Sequence, residues 1–105
     1  MKHSNINQEK VFSSEKFTKK TLFDSAKLVV DIYCFEPGQE LALHQHANSD
    51  QVFFFVEGEG IYAVGGETKS VGPADCTLAP AGVDHGIKNT GSKRMVAFQV
   101  TAPRP

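Results

Sequence analysis

The sequence predicts an all-β protein, an antiparallel sandwich, jelly roll or small barrel, from three features. Short runs rich in Val, Ile, Phe, Tyr and Thr recur along the chain. Clusters of Gly, Pro, Asn and Asp separate them, and no stretch holds an apolar period of 3.6 residues. At 105 residues the chain is the size of one domain with one hydrophobic core. No repeat or linker divides it. Residues 1–105 are therefore expected to fold as a single domain, with residues 1–10 as a flexible N-terminal arm.

The strands follow from these runs in order. They are expected at 16–23, 28–35, 41–46, 51–57, 61–64, 68–71, 76–79, 85–89 and 94–100. Gly65-Gly66 sits between two of them and predicts a two-residue hairpin, because the twist-compatible turn needs positive φ. The run "QVFFFVE" at 51–57 is unusual. Val52, Phe54 and Val56 are apolar on one face and Phe53 and Phe55 on the other, so both faces should be covered. The second cover is either the curled sheet itself or another subunit, and a homodimer is the expectation.

Composition excludes several function classes. The net charge is −1, and the excess of lysine (six against three acids) is confined to residues 1–27, which suits a solvated arm. Neither nucleic acid nor a membrane is an expected partner. No apolar run is long enough to span a bilayer, and "MKHSNINQEKVF" lacks the apolar core of a secretory signal. Cys34 and Cys76 form no C-x-x-C pair, and each lies in an apolar run where cysteine serves as a small core residue. The expected setting is cytoplasmic.

The chemistry concentrates at "HQHANSDQVFFF", residues 44–55. Side chains at i and i+2 of a strand project to one face, so His44 and His46 point together. Two imidazoles placed this way can share a first-row metal at about 2 Å each. Taken alone, the same pattern also describes two packing or surface histidines. Gln51 opens the next run, where its side chain can reach back, and His85 begins a late one; His3 lies in the arm. Asp50 should turn away from the face that Gln51 uses, unless a bulge reverses the parity.

The spacing of these residues resembles the cupin superfamily. Its first motif, G-x5-H-x-H-x(3,4)-E-x6-G, is matched by Gly38, His44, His46, Gln51 and Gly58, with Gln in place of Glu. The second, G-x5-P-x-G-x-x-H-x-x-x-N, is matched by Pro80, Gly82, His85 and Asn89, with Ala74 in place of the leading Gly. The resemblance implies a double-stranded β-helix, the jelly-roll or cupin barrel. It also implies a divalent transition metal (Zn, Ni, Fe, Mn or Cu) held by His44, His46, Gln51 and His85. A cupin that has lost its metal and keeps the histidines as pocket lining is the other outcome.

Gln51 changes what such a centre does. An amide keeps an oxygen donor in reach but removes a negative charge, so the ion would retain its full double charge among neutral ligands. A small anionic ligand or substrate, such as a carboxylate, keto acid or sugar acid, suits it best, at some cost in metal retention. The His-x-His-x4-Gln pattern is similar to the small cupins of pectin and alginate breakdown, which open cyclic unsaturated uronates. The likeness weakens at the last run, where "MVAFQV" offers Phe98 and Gln99 instead of an acid, and only Arg104 in the tail could meet a carboxylate. Glu40 shares the strand parity of His44 and His46 but lies further out. It, Tyr33, Tyr62, Asp75 and Asp84 are the other proton-handling groups near the motifs, and none stands out as a base, so catalytic residues stay unassigned. Two functions remain open. One is metal-dependent isomerase, lyase or dioxygenase chemistry; the other is a non-catalytic ligand- or metal-binding sensor or accessory protein.

Overall fold

Nine strands form where the apolar runs lie. In the computed structural model, which describes all 105 residues, they are β1 (Thr18–Asp24), β2 (Val29–Phe35), β3 (Glu40–His44), β4 (Asp50–Glu57), β5 (Gly60–Val64), β6 (Glu67–Val71), β7 (Cys76–Ala79), β8 (His85–Lys88) and β9 (Met95–Ala102). All pairings are antiparallel. They build a five-stranded sheet, β1-β2-β9-β4-β7, and a four-stranded sheet, β3-β8-β5-β6. This is the double-stranded β-helix. The Gly65-Gly66 hairpin has φ of 57° and 84°, the two positive values its turn requires.

Strand parity sorts the five-stranded sheet into two faces. Gln51, Phe53 and Phe55 of β4 face inward beside Met95, Ala97, Gln99 and Thr101 of β9 and Asp31, Tyr33 and Phe35 of β2. The inner face is apolar at one end, where Tyr33, Phe35, Phe53, Phe55, Tyr62, Ile87, Met95 and Ala97 form the core. At the other end it turns polar, with Asp31, Gln51, Gln99 and Thr101, none more than 3% exposed. These side chains are as deeply buried as those of the core, so their polar atoms need partners.

The outer face is only half covered. Ile32, Cys34 and Val96 are buried there under Ile6, Phe12 and Leu22. The N-terminal stretch expected to be a flexible arm thus carries a one-turn helix, α1 (Ile6–Glu9). It is tied down by ion pairs from Lys10 to Glu57 and from Lys20 to Glu9. Beyond that patch Phe54, Val56 and Leu78 remain 38%, 38% and 53% exposed, and Phe54 stacks on Phe98 with centroids 4.8 Å apart. Within one chain, therefore, the second face of β4 is open.

Two expectations need correction. Cys76 is exposed, not part of the core, because it lies on edge strand β7 with outward-facing Phe54 of β4 as its register partner; Cys34 is buried. Glu40 does not share a face with His44. A bulge between Leu41 and His44 puts two residues of β3, Ala42 and Leu43, against one of β8, Gly86, so Leu41 takes the inner position.

Candidate metal centre

His44, the last residue of β3, pairs across the four-stranded sheet with His85, the first of β8. β3 stops at His44, earlier than expected, and His46 lies in the loop that follows. That loop is fixed by its neighbours. Gly82 N donates to His46 O at 2.7 Å, and Gln45 Nε2 donates to Asp84 Oδ1 at 3.0 Å. The Pro80–Gly82 turn of the second motif thus holds the second histidine of the first. The three rings come within 5.2 Å (His44–His46), 4.4 Å (His44–His85) and 6.0 Å (His46–His85) of each other, centroid to centroid. One nitrogen from each lies within 4.8 Å of the others. Two nitrogens sharing one ion at about 2.1 Å are at most ~4.2 Å apart, so the rings need to close only slightly.

The hydrogen bonds select which nitrogen is free. His44 Nδ1 meets Ala42 O at 2.8 Å, and His85 Nδ1 meets Val83 O at 3.2 Å, each carbonyl lying two residues back. With the proton on Nδ1, both Nε2 atoms keep their lone pairs, the arrangement that carbonyl partners impose on ligand histidines. His85 Nε2 is buried and has no partner. Burial, with His44 nearby, lowers the pKa of His46; burial likewise lowers that of His85, against the opposing pull of the Val83 carbonyl. Neutral imidazoles are what a metal needs. Phe53 packs its ring 5.7 Å from that of His85 and backs it from the core side.

Gln51 lies on β4, 3% exposed, and lines a cavity together with His46. Its Nε2 donates to Thr101 Oγ1 at 3.0 Å, and Thr101 Oγ1 donates to Gln99 Oε1 at 3.4 Å. Tyr33 Oη donates to the same oxygen at 3.5 Å. This chain leaves Gln51 Oε1 buried without a partner. Two orphaned buried atoms, one imidazole nitrogen and one amide oxygen, are donors that a bound cation would satisfy. The donor set is neutral, three nitrogens and an oxygen, and fits a divalent first-row ion.

His46 and Gln51 open into a cavity of about 230 Å³ whose other walls include Lys19, Thr21, Asp31, Gln99 and Thr101. Asp24 and Arg104 stand at its rim, joined by bonds of 2.7 and 3.1 Å, so the tail arginine is already paired. Asp50 accepts from Ala81 N, Asp75 accepts from Gly72 N and Asp84 holds Gln45, all outside the cavity. Tyr62 is in the core and His3 in the exposed N-terminus. Phe98 faces outward and Gln99 inward. Burial, and after it the charge of Asp31, push the Tyr33 phenol far above its ordinary value, so it acts as a donor.

Sequence reasoning does not single out Asp31 and Thr101. A signal for Asp31 is present: a lone charge in "LVVDIYCF" that shares parity with Tyr33 and Phe35. Thr101 falls outside because β9 runs two residues further than its apolar composition suggests.

Known proteins share this fold and family. Residues 31–101 match the family model described as Cupin domain. The crystal structure of TT1209 from Thermus thermophilus superposes with a TM-score of 0.96 at 34% identity, covering 100% of both chains. An oxalate-binding protein of Thermotoga maritima is 25% identical over 75 residues, 71% of this chain and 61% of that protein. A 5-nitrosalicylic acid 1,2-dioxygenase of a Bradyrhizobium species is 38% identical over 64 residues, 61% of this chain but 30% of the enzyme. The chain thus spans less than two thirds of either curated relative. The barrel, its paired histidine motifs and the match over residues 31–101 make this chain a member of the cupin family.

Proposed function

We propose that this cupin binds one divalent transition metal through His44, His46, Gln51 and His85, and acts on a small carboxylate, keto acid or sugar acid that enters by the cavity beside His46 and Gln51. The observation that carries the proposal is the pair of unpartnered buried atoms, His85 Nε2 and Gln51 Oε1, beside two further imidazoles. A divalent ion there supplies Lewis-acid polarisation to an anionic oxygen. With four neutral donors its charge is not reduced, which favours an anion. The ligands named for the two curated relatives, oxalate and 5-nitrosalicylic acid, are both small carboxylates.

The chain's own residues orient and enclose. Ala42 and Val83 carbonyls fix the His44 and His85 tautomers, Thr101 aims the Gln51 amide, and Phe53 closes the site toward the core. The chemistry that suits this arrangement is isomerase or lyase work with a redox-inert ion, or dioxygenase work with iron. Binding without turnover is the second reading. One observation favours it: of the two carboxylates lining the cavity, Asp24 is paired with Arg104, and Asp31 accepts from Thr21 with Lys19 3.9 Å away, so neither is an unengaged carboxylate.

The open face of β4 and β9 is assigned to a second copy of the chain, because Phe54, Val56, Phe98 and Leu78 form one apolar patch beside the region that α1 and Phe12 already cover. The free thiol of Cys76 suits a reducing cytoplasm.

The test is to load the full chain with Zn, Ni, Mn or Fe(II) and to follow ligand binding by calorimetry alongside oxygen uptake and uronate opening. Metal-dependent turnover supports the enzyme. Carboxylate binding without turnover supports the binding protein, and no carboxylate binding with any metal refutes both.

A further inference from the structure

Two buried polar groups that the metal centre does not use face the same cavity. Asp31 on β2 and Gln99 on β9 are cross-strand partners, 3% and 0% exposed, and both line the space into which His46 and Gln51 open. Asp31 Oδ1 accepts from Thr21 Oγ1 at 2.7 Å, while Oδ2 stands 3.9 Å from Lys19 Nζ, beyond hydrogen-bond reach, and keeps acceptor capacity. Gln99 Oε1 accepts from Tyr33 and Thr101, which fixes the amide's orientation. Its Nε2 is buried and donates to nothing. A fully buried amide NH₂ without a partner is destabilising, and a ligand atom there would recover that cost.

A free acceptor beside a free donor matches a group that donates and accepts through one atom, and a hydroxyl is the smallest such group. A second carboxylate matches poorly. It would meet the Asp31 charge, and of the cavity's two cations Arg104 is bound to Asp24 while Lys19, 3.9 Å from Asp31, only offsets that carboxylate's own charge. We propose that Asp31 and Gln99 form a hydroxyl-recognition subsite beside the metal centre, selecting hydroxylated monocarboxylates over dicarboxylates. This assignment rests on the proposed carboxylate-binding metal centre and names its ligand class.

Calorimetry on the Zn-loaded full chain separates the two. Malonate against 3-hydroxypropionate, and succinate against 4-hydroxybutyrate, exchange only the distal carboxylate for a hydroxyl, and propionate lacks any distal polar group. In the pair whose length fits, the hydroxy acid should bind about tenfold more tightly, the scale of one hydrogen bond to a charged group. Asp31→Asn keeps an oxygen for Thr21 and should remove most of that preference by admitting the dicarboxylate. Gln99→Leu should weaken the hydroxy acid alone. Equal affinities within both pairs for the wild-type protein, or a preference unchanged in Asp31→Asn, would overturn the subsite. If propionate still binds in a His85-dependent manner, the metal centre stands without it. If none of these acids binds, the subsite and the reading beneath it both fall.

Discussion

Gln51 and Thr101 face each other across β4 and β9, and the 3.0 Å bond from Gln51 Nε2 to Thr101 Oγ1 engages the amide nitrogen and leaves the amide oxygen buried without a partner. Thr101→Val keeps the shape and deletes the acceptor. Metal affinity should fall about tenfold, as for other residues that orient ligands, measured by competition with a chelating dye. Gln51→Glu adds a negative charge and should tighten metal retention while weakening anion binding in calorimetry. Unchanged values in both variants would mean that Gln51 does not reach the ion.

The metal-free protein should lose stability in mild acid. Burial, as the main cause, holds the pKa values of His46 and His85 below the ordinary imidazole value of 6.5. As pH falls below 6.5 the unfolded chain takes up protons that the folded chain does not, so acid favours unfolding. Stability should be full above that pH and decline below it until the folded histidines also protonate. Urea midpoints between about pH 7.5 and 5 check this, and His85→Gln should flatten the slope.

Ala74 has φ of 76°, a left-handed conformation in which a Cβ is unfavourable, and it occupies the position where the second cupin motif has glycine. Its N–H donates to Phe55 O at 2.9 Å, so the backbone is held there by the fold. Ala74→Gly should stabilise the protein by about 0.5–1 kcal/mol, the relief of φ strain exceeding the added unfolded-state entropy. Thermal melts should show a rise of a few degrees, and a fall would contradict the account.

Phe54 stacks on Phe98 at the open outer face. Light scattering should give twice the chain mass for the wild type and the single mass for Phe54→Lys, with the fold retained because Phe54 is already 38% exposed. A monomeric wild type would remove the assignment of that face to a second copy.

All nine strands were legible because β-branched and aromatic runs alternate with turn residues on a scale local to the chain. The candidate metal ligands are legible for a different reason: the motifs fix residue type and distance at once. What escaped depends on pairing between distant strands. The β3 bulge that moves Glu40 off the inner face arises from register with β8, which composition does not encode. Cys76 reads as apolar, yet its exposure follows from its place on an edge strand opposite Phe54. The chain from Tyr33 through Gln99 and Thr101 to Gln51 joins three strands that only the fold brings together. Asn89 is a related case. It matched the motif beside the ligands, but it is fully buried and donates to the Phe35 and Lys93 carbonyls, a structural clasp at the far end of β8.

Elemental analysis of the purified chain after loading with a divalent first-row ion and removal of the excess bears most directly on the centre itself. One ion per chain in the wild type, lost in His85→Ala with the secondary structure intact, is the expected result. A wild type that retains no ion, or a His85→Ala variant that retains a full equivalent, would contradict it.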